Sequence, residues 1–141
     1  MALNGVQGYD NAVKAILLAL SEQAYALLRI SSGFMFSIHG FQKIFGVLGR
    51  EPSAPLTQAW IGGLIELLGG LMIMAGFWTR SAAFLSSGTM AVAYIQFHWK
   101  FQMGSAFFPA VNRGELAALY CFVFFFIATR GAGIWALKRG S

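Results

Sequence analysis

Apolar residues fall into four long runs, at about 24–45, 60–78, 82–99 and 116–137, the last of them densest up to Thr129. A membrane-crossing helix needs ~20 largely apolar residues, because the hydrocarbon core is ~30 Å thick and an α-helix rises ~1.5 Å per residue. Each run has that scale, and what separates the runs is punctuation. Residues 46–58 contain Gly49, Pro52, Ser53 and Pro55, a loop by composition. Thr79-Arg80-Ser81 is short enough for a tight hairpin, and residues 100–114 carry Pro109 and Asn112 to interrupt any helix. The pattern predicts an all-α fold, a four-helix antiparallel transmembrane bundle over residues 24–141.

Residues 1–23 stand apart. Asp10 or Asn11 is placed to cap a helix over residues 12–20, which carries Lys14. That stretch is too short to cross a bilayer, so it reads as an interfacial helix or an extension of the first span. No basic region precedes it and no A-x-A site follows, so a secretory signal is not expected.

Composition agrees with the membrane reading. Of 141 residues, 57% are hydrophobic and only 11% charged, against ~45–50% and ~25% in soluble domains; the mean hydropathy is +0.64. Such a chain lacks the charge to cover itself in water, which excludes an ordinary soluble enzyme. The single cysteine, Cys121, excludes a disulfide framework and a cysteine-based zinc site within one chain. A pI near 9.8 invites comparison with nucleic-acid binders. The ten bases are nonetheless scattered, with Lys138-Arg139 their one adjacent pair, and form no stripe along which phosphates would run. No nucleic-acid partner is expected.

Orientation follows the distribution of Lys and Arg. With four spans, both termini share a side with the hairpin, and that side holds Lys14, Arg29, Arg80, Arg130, Lys138 and Arg139. The opposite side holds Lys43, Arg50, Lys100 and Arg113. The imbalance places both termini in the cytoplasm.

Ionisable groups within a span cost about 2.5–3.5 kcal/mol each on insertion scales. Glu66, between Ile65 and Leu67, is the sharpest case. Antiparallel threading brings His39 and Lys43, His98, Arg113 and Glu115 to its end of the bundle, whereas the hairpin end collects the bases Arg29, Arg80 and Arg130. Two readings suit the cluster. It can be a set of interhelical ion pairs, Glu66 with Lys43 and Glu115 with Arg113 or His39. It can equally be a polar pocket for an amphipathic ligand such as a quinone, with His39, Lys43, Glu66, His98, Arg113 and Glu115 around the head and Phe97, Trp99, Phe107 and Phe108 against its ring. Bis-His haem ligation by His39 and His98 and a metal site of two His and two Glu are weaker fits, since the ligands sit at span ends; no intrinsic cofactor and no metal are expected. No P-loop, HExxH or serine-nucleophile motif is present.

Span two is rich in glycine. Gly62, Glu66, Gly69 and Gly70 share one helical face, and small residues let helix backbones approach closely in lipid. Glu66 should therefore face protein. Phe122 and Phe124 to Phe126 read as lipid-facing or packing surface, and Met72, Met74 and Met90 as adaptable packing.

Four stretches, RISSGFMFSIHGFQKIFG from Arg29, IGGLIELLGGLMIMAGFWTRSAA from Ile61, MAVAYIQFH from Met90 and FFPAVNRGELAALYCFVFFFIATR from Phe107, together resemble the DoxX family of small bacterial membrane proteins. The resemblance implies a four-helix bundle in the bacterial inner membrane and a link to quinone-dependent redox systems, among them the membrane subunit of a thiosulfate:quinone oxidoreductase. Two roles follow as expectations. One is a quinone-interacting membrane subunit of an oxidoreductase complex; the other is a non-catalytic structural or assembly subunit. Both imply the lipid bilayer, and partner subunits or a homo-oligomer, as neighbours.

Overall fold

The computed structural model describes residues 2–137, with side chains from Tyr9 onward, so Lys138 and Arg139 lie outside the described residues. The fold is all-α, with no strand among the described residues. Its helices are α1 (Ala2–Ala19), α2 (Ser21–Phe45), α3 (Gln58–Ala75), α4 (Thr79–Ala93), the four-residue α5 (Pro109–Asn112) and α6 (Glu115–Arg130). A π-helical turn, Tyr94–Trp99, continues α4, and a 3-10 turn, Gly104–Phe107, precedes α5. Among the described helices, α3 is the one both long and apolar enough to cross a membrane, with 18 residues at a mean hydropathy of 1.5.

Local chemistry explains most boundaries. Thr57 caps α3, its hydroxyl accepting from the Trp60 N–H at 3.3 Å. Gly46 and Gly76 end α2 and α3 in the left-handed conformation, at φ 64° and 73°, which glycine adopts without a Cβ penalty. Gly76 also moves the hairpin: the turn is Gly76–Trp78, and Thr79, Arg80 and Ser81 form the first turn of α4 instead of the connection the sequence predicts. Gly131, at φ 87°, follows the end of α6 at Arg130, so the helix stops well before Leu137. At the other end, α1 runs through Asp10 and Asn11, so neither caps a helix. Once a helix is nucleated each further residue adds a hydrogen bond, and that gain outweighs the local preference of Asp and Asn for a cap. Backbone bonds from Leu20 N to Ile16 O and from Ala24 N to Leu20 O carry the chain from α1 into α2.

Helix α2 packs along α3, α4 along α6, and α3 against α4. The tightest seam is α2–α3. A Cβ added to Gly33 would stand 2.6 Å from the Met74 backbone nitrogen, and one on Gly70 would stand 2.6 Å from the Gly33 carbonyl oxygen. Gly40 against Leu67, and Gly63 against the stem of Lys43, repeat the arrangement one heptad on. The close-packing face of α3 is thus Gly63 and Gly70. Gly62, which the sequence places on that face, meets open space, and Gly69 lies against Ser86 of α4.

Between α2 and α6 the contact is made by side chains. Phe36 packs on Phe124 at 4.6 Å and on Tyr120 at 5.4 Å between ring centroids, and Tyr25 meets Phe126 edge-on. Tyr25, Phe36, Tyr120 and Phe124, with Ile73, Ala83, Met90 and Ile127, belong to the core. The outward faces are apolar too, with Leu27, Phe34, Leu68, Phe84, Leu85, Leu119, Phe122 and Phe125 all exposed.

The hairpin end is tied by donors directed at helix C-termini. Arg29, 0% exposed, donates to the carbonyls of Ile73 and Met74 at 2.7 Å each and to those of Ile134 and Trp135 at 3.2 and 2.7 Å. Its charge sits at the negative end of the α3 dipole. Arg80 does the same for α6, through Ala128, Thr129 and Arg130. Tyr25 donates to the Gly131 carbonyl, and Arg130 lies 4.1 Å over the Tyr25 ring while pairing with Glu22. Arg29, Arg80 and Arg130 therefore have structural partners, and with Glu22 among them the end is not purely basic.

Candidate functional site

Helices α3 and α4 leave the hairpin in contact, at Gly69 and Ser86, and two turns further from the hairpin α3 has open space beside Gly62. There a cavity of about 990 Å³ opens, at the upper end of the ~300–1,000 Å³ typical of small-ligand sites. Its polar lining includes His39 and Lys43 from α2, Glu66 from α3, His98 from the π-turn, and Arg113 and Tyr120 beside and on α6, with Arg50, Gln58, Ser87 and Thr89 completing it.

Glu66 sits at the heart of this lining and is 3% exposed. Lys43, crossing α3 over Gly63, donates to Glu66 Oε1, while Oε2 is buried with no hydrogen-bond partner among the described residues. A buried carboxylate oxygen without a donor is costly, by about 1–3 kcal/mol or more for a charged group. His39 packs edge-on to Tyr120, with centroids 6.5 Å apart. His98 has Nδ1 3.3 Å from the Asn112 carbonyl. A carbonyl only accepts, so that bond puts a proton on Nδ1 and leaves Nε2 for another partner. The π-turn under His98 is braced by Tyr94, which donates to the Phe107 carbonyl at 2.6 Å, and by Asn112, whose side chain reaches both Tyr94 and the Ala106 carbonyl. π-Helical turns are enriched at functional sites.

Five of the six residues singled out in the sequence, His39, Lys43, Glu66, His98 and Arg113, line this one cavity. Glu115 does not: it is exposed beside a smaller surface depression with Ala110 and Leu116, and it forms no ion pair with Arg113 or His39 among the described residues. The buried face of α6 is Ala117, Tyr120, Phe124 and Ile127, and Glu115 lies off it. Tyr120 is the polar member of that face and the residue sequence reasoning missed; the three-and-four spacing from Ala117 to Ile127 was the available signal. Of the aromatics expected around a ring, only Phe97 lines the cavity. Trp99 meets Phe107 edge-on and Phe101 at a tilt, and Phe107 meets Phe108 edge-on, in the loop beyond it.

The DoxX family model matches residues 24–99, more than half of the chain, across α2, α3, α4 and the π-turn. The chain belongs to the DoxX family. It is accordingly a membrane protein, in contact with the lipid bilayer. It is similar to an uncharacterized protein of Haemophilus influenzae, 37% identical over 118 residues that take in 81% of this chain and 87% of that one. It is also similar to a Bacillus subtilis protein named “Putative oxidoreductase CatD”, 33% identical over 74 residues, which are 49% of this chain and 55% of that protein. No solved structure matches this DoxX chain.

Proposed function

We propose that this protein is a multi-pass inner-membrane subunit of a redox system, and that its cavity holds the head of a quinone-type ligand taken from the lipid. The observation that carries the reading is the free Oε2 of Glu66. A buried, partnerless carboxylate oxygen beside two imidazoles and a phenol suits a head group bearing carbonyl or hydroxyl oxygens, with groups able to exchange its protons. The Bacillus relative, whose name carries the word oxidoreductase, supports the redox setting. In this reading α2, α3, α4 with its π-turn, and α6 cross the membrane, with both termini in the cytoplasm. No catalytic residue is assigned: a quinone when bound would be one member of the redox couple, and the other lies with a partner subunit. His39, Glu66, His98 and Tyr120 would orient its head and hold or pass protons at its oxygens.

The purified protein is titrated with benzoquinones and naphthoquinones while thermal unfolding is followed, since a ligand of the folded state stabilises it by mass action. Stabilisation that falls away in Glu66→Gln and His39→Ala, and persists in Glu115→Gln, is the expected result. A well-folded sample that no quinone stabilises overturns the proposal and leaves the structural-subunit role.

A further inference from the structure

Four buried side-chain polar atoms lack a hydrogen-bond partner among the described residues: Arg29 Nε, Glu66 Oε2, Thr79 Oγ1 and Ser86 Oγ. Of these residues Glu66 alone lines the cavity. Its other oxygen is taken by the Lys43 ammonium, and a carboxylate in an ion pair accepts and does not donate. His98 offers a second acceptor. Its Nδ1 is committed to the Asn112 carbonyl at 3.3 Å, which in the neutral ring leaves Nε2 with a lone pair and no proton.

Donors line the cavity too, in Lys43, Arg50 and Arg113. Arg50 and Arg113 are exposed and Lys43 partly so, and such groups turn to water whether or not a ligand is present. Tyr120 and His39 can donate or accept and so suit any ligand. The buried Oε2 has neither freedom, so it decides what a ligand must bring. A buried polar group left unpaired discriminates far more strongly than one that water can satisfy.

The two redox forms of a quinone-type head differ in this respect. In the quinone both ring oxygens are carbonyls, and either one set against Oε2 places acceptor against acceptor. In the hydroquinone both are hydroxyls, and a hydroxyl donating to a carboxylate is among the stronger hydrogen bonds that proteins make. We infer that the cavity takes the reduced, dihydroxy-aromatic form of the head in preference to the quinone, with Glu66 Oε2 and His98 Nε2 as the acceptors for its hydroxyls. The inference rests on the head-group reading of the cavity and adds the redox state that the site selects. A tenfold preference for the reduced form raises the two-electron midpoint potential of the bound head by about 30 mV.

The experiment uses the full-length protein in nanodiscs under anaerobic conditions. Its probes are a dimethoxy-methylbenzoquinone, the corresponding hydroquinone, and that hydroquinone with both hydroxyls methylated, which keeps the ring and removes the donors. The expected result is that the hydroquinone binds about tenfold or more tighter than either of the others. Glu66→Gln puts an amide in place of the free acceptor. It should cost the hydroquinone about tenfold or more, and cost it more than the quinone, with thermal unfolding as the check on fold. The comparison of probes on the wild type needs no variant and decides the matter if Glu66→Gln unfolds early. A quinone or a methylated probe that binds as tightly as the hydroquinone overturns the preference and leaves the head-group reading standing, as does an equal loss for both redox forms in folded Glu66→Gln. If the wild type binds none of the probes, the head-group reading fails and this inference fails with it.

Discussion

Lys43 and Glu66 are joined across the α2–α3 seam, and the bond uses only one oxygen of the carboxylate. The lysine is partly exposed and the glutamate buried, so the charge of Glu66 depends on a partner that still reaches the cavity. Removing the lysine leaves a buried carboxylate unpaired, a loss of about 3–5 kcal/mol for pairs of this kind. Lys43→Met should therefore unfold well below the wild type in a thermal or denaturant melt, Glu66→Gln should be milder, and combining the two should recover most of the lost stability. Equal stability of Lys43→Met and wild type would mean that the pair holds nothing together.

The glycines divide into two kinds, and substitution should tell them apart. Gly33→Ala and Gly70→Ala force a Cβ to within 2.6 Å of backbone atoms, an overpacking that typically costs about 1–3 kcal/mol. Gly62→Ala and Gly88→Ala add a methyl to open space and should stabilise by about 0.5–1 kcal/mol through helix propensity. Unfolding midpoints of the four variants, measured side by side, should fall on opposite sides of the wild type. The same sign for both pairs would contradict the packing described.

Arg29 distributes its two terminal nitrogens over four carbonyls from two segments. Lysine offers a compact charge and no fork, so it cannot bridge both. Arg29→Lys should release the segment after α6, seen as faster proteolysis near Ile134 and Trp135, and should cost several kcal/mol. Arg80→Lys, with exposed partners, should cost far less. Similar protection of the C-terminal segment in both variants would argue against this bridging role.

Membrane topology is checked by cysteine labelling in a Cys121→Ser background. A cysteine at Ala54 should react with an impermeant reagent from the periplasmic side, and one at Ser81 only after the cytoplasmic face is exposed. The reverse pattern would invert the orientation and leave the site geometry untouched.

Much of this was legible in the sequence, for reasons particular residues show. The insertion cost of Glu66 demanded a partner, and Lys43 was the base one turn from the end of the neighbouring span; the two are paired. The lengths of the apolar runs placed α2, α3, α4 and α6, each of which has a buried face, but run length carries no angle about a helix axis. It did not show which of the adjacent glycines Gly62 and Gly63 touches α2, since one residue of rotation separates the seam from the cavity and only the crossing of the two helices selects between them. Glu115 was misplaced for a related reason: its position at the start of α6 was read, but not its angle about the helix axis relative to Ala117 and Tyr120. The hairpin shifted because Gly76, φ 73°, terminates α3 before the polar tripeptide that marks the turn in the sequence. The trio of Arg29, Arg80 and Arg130 looked like a topology signal, and the helix-terminal carbonyls that occupy the first two are invisible before folding.

The bonds of Arg29 also bear on biogenesis. Two of its acceptors are in α3, and the other two, Ile134 and Trp135, are separated from it by 105 and 106 positions in the chain. During synthesis α2 emerges before α3 and the segment after α6, carrying a guanidinium whose partners have not yet been made. Until the ribosome has delivered the segment after α6, that charge must be shielded by water, by lipid headgroups or by the insertion machinery. Synthesis of the segment after α6 is thus the event that lets α2 settle, and a chain truncated after α6 would leave Arg29 short of two of its four carbonyls.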